Sequence, residues 1–212
     1  MNTNTRTDKN FKNLAGFSNE ILVHCPNCNK QALVVTVLGQ YIVPYPTSSH
    51  KHKPTFTCKN CFKPIAENSW FGNLVISPLS SNCGVCGTTF KGVRRLVKKN
   101  QSNIKITCPN CKQERFYQTR CTKTYADSNQ ATDPYFGLQL WLQSPFDNNI
   151  FWAYNYEHLT YLKQYVGAKL RETASGGKYA LAWKLPNFIK VAKNREKILK
   201  VIGRLERKPL DT

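Results

Sequence analysis

Hydrophobic and polar positions sort this chain into short strand-like and helix-like stretches. The run ALVVTVLGQYIV, residues 32–43, is apolar and β-branched, broken by Gly39, and predicts two short strands. The turn-rich piece PYPTSSHKHKPT that follows predicts a loop. Further on, TTFKGVRRLVKK and NIKIT flank residues 100–103 and predict a hairpin, and GLQLWLQS and IFWAY flank residues 145–149 and predict another. In EHLTYLKQYVGAKLRE, apolar residues recur at Leu159, Leu162, Val166 and Leu170, which is helical spacing. A last helix is expected from about Pro186, a residue tolerated in a first turn, to about Arg207. Its apolar face would be Phe188, Ala192, Leu199, Ile202 and Leu205. Residues 1–18 are polar and predict disorder, and Gly176-Gly177 is expected to be a hinge between helices.

Eight of the nine cysteines fall in four pairs of identical internal spacing: Cys25 and Cys28, Cys58 and Cys61, Cys83 and Cys86, Cys108 and Cys111. Two cysteines separated by two residues can turn both sulfurs toward one point, and two such knuckles complete a tetrahedral four-thiolate site. Four pairs therefore make two sites, each able to contribute on the order of 10 kcal/mol to folding. Sequential closure joins the first pair to the second and the third to the fourth. An interleaved, cross-braced arrangement is the alternative. A redox role lacks a surrounding βαβ pattern, and four thiolates leave no position for a catalytic water. Cys121 is left over and is expected to be a free thiol in a loop.

The knuckles CPNC, CKNC, CGVC and CPNC resemble a tandem of zinc ribbons, over roughly half the chain. That resemblance implies two structural zinc ions and modules that bind nucleic acid, polymerases or other proteins. The familiar knuckle has Gly after its second Cys. Here only Gly87 conforms, and Asn29, Phe62 and Lys112 depart from it. The run from GLQLWLQS to KLRE resembles the tail of uncharacterised bacterial zinc-ribbon proteins, which brings no known activity. The expected architecture is thus two small zinc-stabilised β modules, residues 19–78 and 79–121, then a linker, 122–134, with a turn at Asp133-Pro134. An α+β unit, 135–212, follows and ends in a basic helix.

Charge narrows the choice of partner. Thirty-one Lys and Arg against twelve Asp and Glu leave +19, a balance that favours polyanions. Nucleic acid is the expected partner, DNA before RNA, with a protein complex as the competing one. The segment FKGVRRLVKKNQSNIKIT carries Lys91, Arg94, Arg95, Lys98, Lys99 and Lys105 without one acid. It is expected to form a cationic finger. Lys190, Lys193, Lys197, Lys200, Arg204 and Arg207 recur every three or four residues and would share one face of the last helix. Glu196 is placed to pair with Lys200. No segment approaches the roughly 18 uncharged apolar residues of a membrane span. The polar opening stretch lacks a secretory signal, so a cytoplasmic protein with reduced thiols is expected.

Aromatic residues crowd 135–165. Trp141, Phe151 and Tyr161 are expected to build core, with Tyr135, Phe146 and Tyr156 as the exposed candidates for stacking on bases. His24, His50 and His52 are expected to face solvent or phosphate. For an enzyme, a nuclease or nucleotidyl transferase, the candidates would be Asp133, Asp147, Glu157 and His158, which no known spacing links. The expectation is therefore a non-catalytic nucleic-acid-binding protein. An adaptor docking on a polymerase or effector complex is the alternative.

Overall fold

The computed structural model describes residues 13–36, 53–124, 130–168 and 181–208. His50, His52, Leu170, Gly176-Gly177 with the hinge expected there, the second strand expected after Gly39, and residues 1–12 of the terminus expected to be disordered lie outside them.

Strands β1 (Glu20–His24), β2 (Gln31–Val35) and β3 (Thr55–Thr57) form an antiparallel sheet in that order. Every second residue of β1 and β2 is buried, and the register sets Ile21 opposite Val34 and Val23 opposite Ala32. One face therefore enters the core, as a period of two requires. The free edge of β1 is closed by the distant C-terminal segment: Leu22 N–H donates to Tyr154 O at 2.8 Å, His24 N–H to Gln139 O at 2.8 Å, and Trp141 N–H to Leu22 O at 2.9 Å.

Strands β4 (Leu74–Pro78), β5 (Arg95–Val97), β6 (Asn103–Thr107) and β7 (Glu114–Lys123) form a second antiparallel sheet in the order β5-β4-β7-β6. The hairpin expected between TTFKGVRRLVKK and NIKIT does not form. β5 pairs with β4 and β6 with β7, so the two segments occupy opposite edges. The ten-residue β7 reaches from the fourth knuckle back across the sheet and pairs with both β4 and β6, standing between the two segments. β4 falls within 19–78 on the sequence boundaries but pairs only in this second sheet. Cys121 lies on β7 rather than in a loop, opposite Ile76, packed against a small core of Ile76, Phe90, Ile104 and Ile106.

The C-terminal part contains the expected hairpin, β8 (Leu142–Phe146) and β9 (Asn149–Ala153), turning at Asp147 with φ 48°. Helix α1 (Tyr156–Gly167) buries His158, Leu159, Leu162 and Val166. The Asn155 side chain caps it by accepting His158 N–H at 2.8 Å, and donates from Nδ2 to Phe17 O and Glu20 O. The long last helix is broken. Short α2 (Leu181–Lys184) and α3 (Asn187–Lys190) precede an extended Val191 and a 3-10 turn, and only then does α4 (Arg195–Glu206) begin. Its buried face is Ile198, Val201, Ile202 and Leu205. Leu199 is half-buried and Ala192 is exposed, against expectation.

One continuous core joins β1, β2 and the first cysteine set to β8, β9, α1 and α4, with Phe17, Ile21, Leu140, Phe151, Leu159 and Ile202 essentially inaccessible. The segments 19–78 and 135–212 thus share their apolar interior. The second sheet meets this body where Phe71 N–H donates to Phe136 O at 2.8 Å and Gly72 lies against Gly137.

Candidate metal centres and nucleic-acid interface

The cysteines gather in sequential order, Cys25, Cys28, Cys58 and Cys61 in one group and Cys83, Cys86, Cys108 and Cys111 in the other. The interleaved alternative is excluded. Sulfurs approach at 3.6 Å for Cys25–Cys61 and Cys28–Cys58, 3.8 Å for Cys83–Cys111 and 3.6 Å for Cys86–Cys108. A regular tetrahedron with metal–sulfur bonds of about 2.3 Å has edges of about 3.8 Å. The spacing fits a four-coordinate ion and is far too long for a disulfide, whose sulfurs stand about 2.05 Å apart.

The four knuckles repeat one backbone pattern. The carbonyl of each first Cys accepts from the N–H of the residue after the second, at 2.9 Å for Asn29, 3.1 Å for Phe62, 3.0 Å for Gly87 and 3.1 Å for Lys112. All four of those residues are left-handed, with φ of 58°, 55°, 71° and 60° respectively. The absence of Gly at three of them therefore leaves the turn intact. Amide donors also reach the sulfurs, from Asn27 to Cys25 and from Val85 to Cys83, each at 3.4 Å. The Lys30 backbone N–H draws the Cys28 thiol down to about 6, and the side chain and backbone of Thr88 draw Cys86 down to about 5. Such donors favour thiolate, the form that binds metal. Burial acts the other way on Cys25, pushing it up to about 12.

The cationic residues separate into two surfaces. Between Leu74 and Thr124 the second module carries ten Lys or Arg and one carboxylate, Glu114. Lys91, Arg94, Arg95, Lys98 and Lys99 are exposed, and no ion pair holds them among the described residues. Lys105 departs from expectation, being paired across the strands with Glu114. Lys197, Lys200 and Arg204 of α4 and Arg207 at its C-cap line an open groove of about 780 Å³ with Pro145 and Phe146 of β8 and Asp147 of the turn that follows. Lys190 and Lys193 precede the start of α4, so the six cations do not form one helical stripe. Among the described residues Glu196 forms no ion pair with Lys200. Glu206 instead joins α4 to α1 through Lys163 at 2.9 Å.

The aromatic residues of the C-terminal part are largely interior. Trp141 and Phe151 are buried as expected, and Tyr161 packs against the core. Phe146, expected to be exposed, is buried and stacks on Phe188 with centroids 5.3 Å apart. The Tyr135 hydroxyl is buried, and Tyr156 donates to Lys208 O at 3.2 Å. His24 is half-buried against Trp141, 4.6 Å between ring centroids, and Lys208 Nζ lies 4.0 Å above the same indole. Exposed rings occur elsewhere: Phe62 at 80%, Phe116 at 72% and Phe71 at 43%. Sequence reasoning missed Phe116 because β7 itself was not predicted. Its signal was the alternation of Tyr117, Thr119 and Cys121 inward with Phe116, Gln118 and Arg120 outward.

The four candidates for an enzymatic centre have separate structural settings. Asp133 is fully buried and accepts the backbone N–H groups of Tyr135 and Phe136 at 2.8 Å and Leu138 at 2.5 Å, bracing the turn expected there. Burial lifts its carboxyl to about 6 against the pull of those amides. Asp147 sits in the β8–β9 turn, and Glu157 is exposed in the first turn of α1. His158 is buried, stacked 4.8 Å from Phe17, and its Nδ1 accepts Tyr154 N–H at 3.2 Å. Among the described residues, only the two cysteine sets bring three or more potential ligands together. No helix there is long and apolar enough to cross a membrane. No protein-family model, curated protein or solved structure matches the chain.

Proposed function

We propose that this chain is a non-catalytic nucleic-acid-binding protein whose two four-cysteine sites hold structural zinc. Zinc suits the donor set because a closed shell of four thiolates is its usual structural environment, with no open position for chemistry. The resident ions would hold the knuckles and the sheets they flank in fixed geometry, so cations mounted on them need little ordering when they bind. The observation that carries the reading is the second module, with ten cations and only Glu114 to offset them. Phosphates are the partners such a surface suits best, and the α4 groove supplies a second binding surface for a strand long enough to reach it.

The test is fluorescence anisotropy with labelled DNA and RNA in rising salt, beside elemental analysis of native protein. Two zinc ions per chain are expected, with log affinity falling linearly against log salt. Paired reversal at Lys98 and Lys99, or at Lys200 and Arg204, should weaken binding and flatten the slope by roughly one for each phosphate no longer neutralised. No binding at low salt, or no salt slope, overturns the reading.

A protein partner is the second reading, and Phe62 is the residue it would use: the ring is 80% exposed on the second knuckle at a left-handed φ of 55°, a conformation in which an L side chain is costly. An adaptor role predicts a heterocomplex that survives nuclease treatment and is lost in Phe62→Ala.

A further inference from the structure

The outer face of the second sheet has features that phosphate binding alone does not explain. In register, Lys105 stands opposite Phe116, Ser77 opposite Arg120, and Val75 opposite Leu96 and Thr122. Residues opposite one another share a face, as do residues two apart on a strand. Phe116, Gln118 and Arg120 of β7 therefore project on the same side as Lys105 and Leu96. The other side carries Ile76, Ile104 and Ile106 into the small core.

Phe116 lies within a paired strand, yet 72% of it is open to solvent. Its cross-strand neighbour cannot cover the ring, because Lys105 turns aside to Glu114. Leu96, 61% exposed, marks the far end of the face. Phe116 and Thr122, which faces Val75 as Leu96 does from the other side, stand six positions apart on β7, about 20 Å at ~3.3 Å per residue. Between them stand Gln118 and Arg120, which are exposed, and Arg120 has no ion-pair partner among the described residues. The face is thus an elongated track with an open ring at one end, an apolar side chain at the other, and polar and cationic groups along it.

We infer that this face takes a single strand of nucleic acid, with an unpaired base stacked on Phe116 and the backbone running along Arg120 toward the cationic β4–β5 edge. The inference rests on the nucleic-acid reading above and deepens it. A duplex offers this track its phosphates only, because its base faces are already stacked on one another. A single strand offers phosphates and free π-faces together, the combination that a cationic surface with an open ring suits. Glu114 stands on the same face, but Lys105 neutralises it.

The experiment compares a labelled single-stranded DNA of about 12 nucleotides, long enough to cross the whole face, with the duplex of the same sequence. Both are titrated with the full chain at one salt concentration. The native protein should bind the single strand more tightly. Phe116→Ala should lose about 5- to 150-fold on the single strand, the effect of removing one stacked base, with the duplex affinity and the salt slope unchanged. Phe116→Tyr should restore binding, whereas Phe116→Leu, which keeps an apolar side chain without a π-face, should not. Unchanged metal content in each variant shows that the sheet is intact. Equal affinity of Phe116→Ala and native protein for the single strand overturns the platform while leaving the phosphate reading standing, and so does an equal loss on the duplex. Failure of native protein to bind either probe overturns both.

Discussion

The left-handed residue that closes each knuckle offers a direct measurement of how local backbone conformation couples to metal binding. Phe62 and Lys112 occupy φ of 55° and 60°, where an L side chain costs about 1–2 kcal/mol. Glycine removes that cost but gives back about 0.4–1 kcal/mol through the greater freedom of the unfolded chain. Phe62→Gly should therefore stabilise the metal-bound fold by about 0.5–1 kcal/mol. Its ring is 80% exposed, so almost no packing is lost. Lys112→Gly should gain slightly less, because Lys112 Nζ donates to Pro109 O at 2.7 Å. Asn29→Gly should change little, since Asn tolerates this conformation. Gly87→Ala supplies the reverse test. Nothing lies within 4 Å of the added Cβ, so its expected loss of about 1 kcal/mol is conformational rather than steric.

Folding and ion binding are linked in such sites, so these energies appear as metal affinity. A gain of about 0.7 kcal/mol corresponds to roughly threefold tighter metal binding in competition with a chelator, and about 1.4 kcal/mol to tenfold. Competition titrations at fixed pH, with denaturant midpoints taken in buffered metal, would rank the variants Phe62→Gly, Lys112→Gly, native, Gly87→Ala. If Phe62→Gly released metal more readily than native protein while Gly87→Ala was indistinguishable from it, the left-handed turn would not be the feature these residues supply.

Two further perturbations probe the shared core and its seam. Gly137→Ala would place a Cβ 2.5 Å from the backbone nitrogen of Gly72 and 2.8 Å from its Cα, at a φ of +68°. Neither backbone can yield alone, so a loss above about 2 kcal/mol is expected in chemical denaturation, beyond the usual range for a surface change. His158 is held neutral by burial, its pKa drawn down to about 3 from 6.5. An acceptor of protons only in the unfolded chain makes folding weaker as pH falls below the unfolded value. The stability of native protein relative to His158→Phe should therefore fall by about 1 kcal/mol between pH 7 and 5.5. A pH-independent difference would mean that the imidazole takes up its proton equally in the folded and unfolded chain, and that burial does not hold it neutral.

The parts of the fold that were legible in sequence are those whose cause is local or covalent in character. The C-x-x-C spacing itself brings two sulfurs together, so the eight clustered cysteines could be named and the sequential pairing preferred without knowing any strand partner. The β8–β9 hairpin and the buried face of α1 were legible because apolar contrast is strong in GLQLWLQS, IFWAY and EHLTYLKQYV. β7 was not, because its inward residues Tyr117, Thr119 and Cys121 are barely more apolar than its outward ones, and its partners are chosen by where two knuckles meet. The error that followed was specific. Without β7, NIKIT had only TTFKGVRRLVKK to pair with, and a cationic hairpin replaced what is a four-stranded sheet with cations on β5, β7 and β6.

The break at Val191 was hidden for a different reason. Neither Pro nor Gly marks it, and the chain leaves the helix through an extended Val191 with ψ 125°. Asn194 Nδ2 donates to Phe188 O at 2.9 Å, satisfying a carbonyl that an uninterrupted helix would have bonded to its own backbone. Asn competes with the main chain in this way wherever tertiary packing makes it useful, and no periodicity records it. The consequence reaches the candidate interface. Restarting at Arg195 lets that residue donate through Nη2 to Ala168 O at the end of α1, 2.9 Å away. Together with the Lys163–Glu206 pair near the other end of α4, this sets the helix against α1. The four cations from Lys197 to Arg207 are then presented beside the β8–β9 turn, and Lys190 and Lys193 are left outside that line. Six residues at helical spacing became a groove of four because the chain leaves the helix at Val191 and restarts at Arg195.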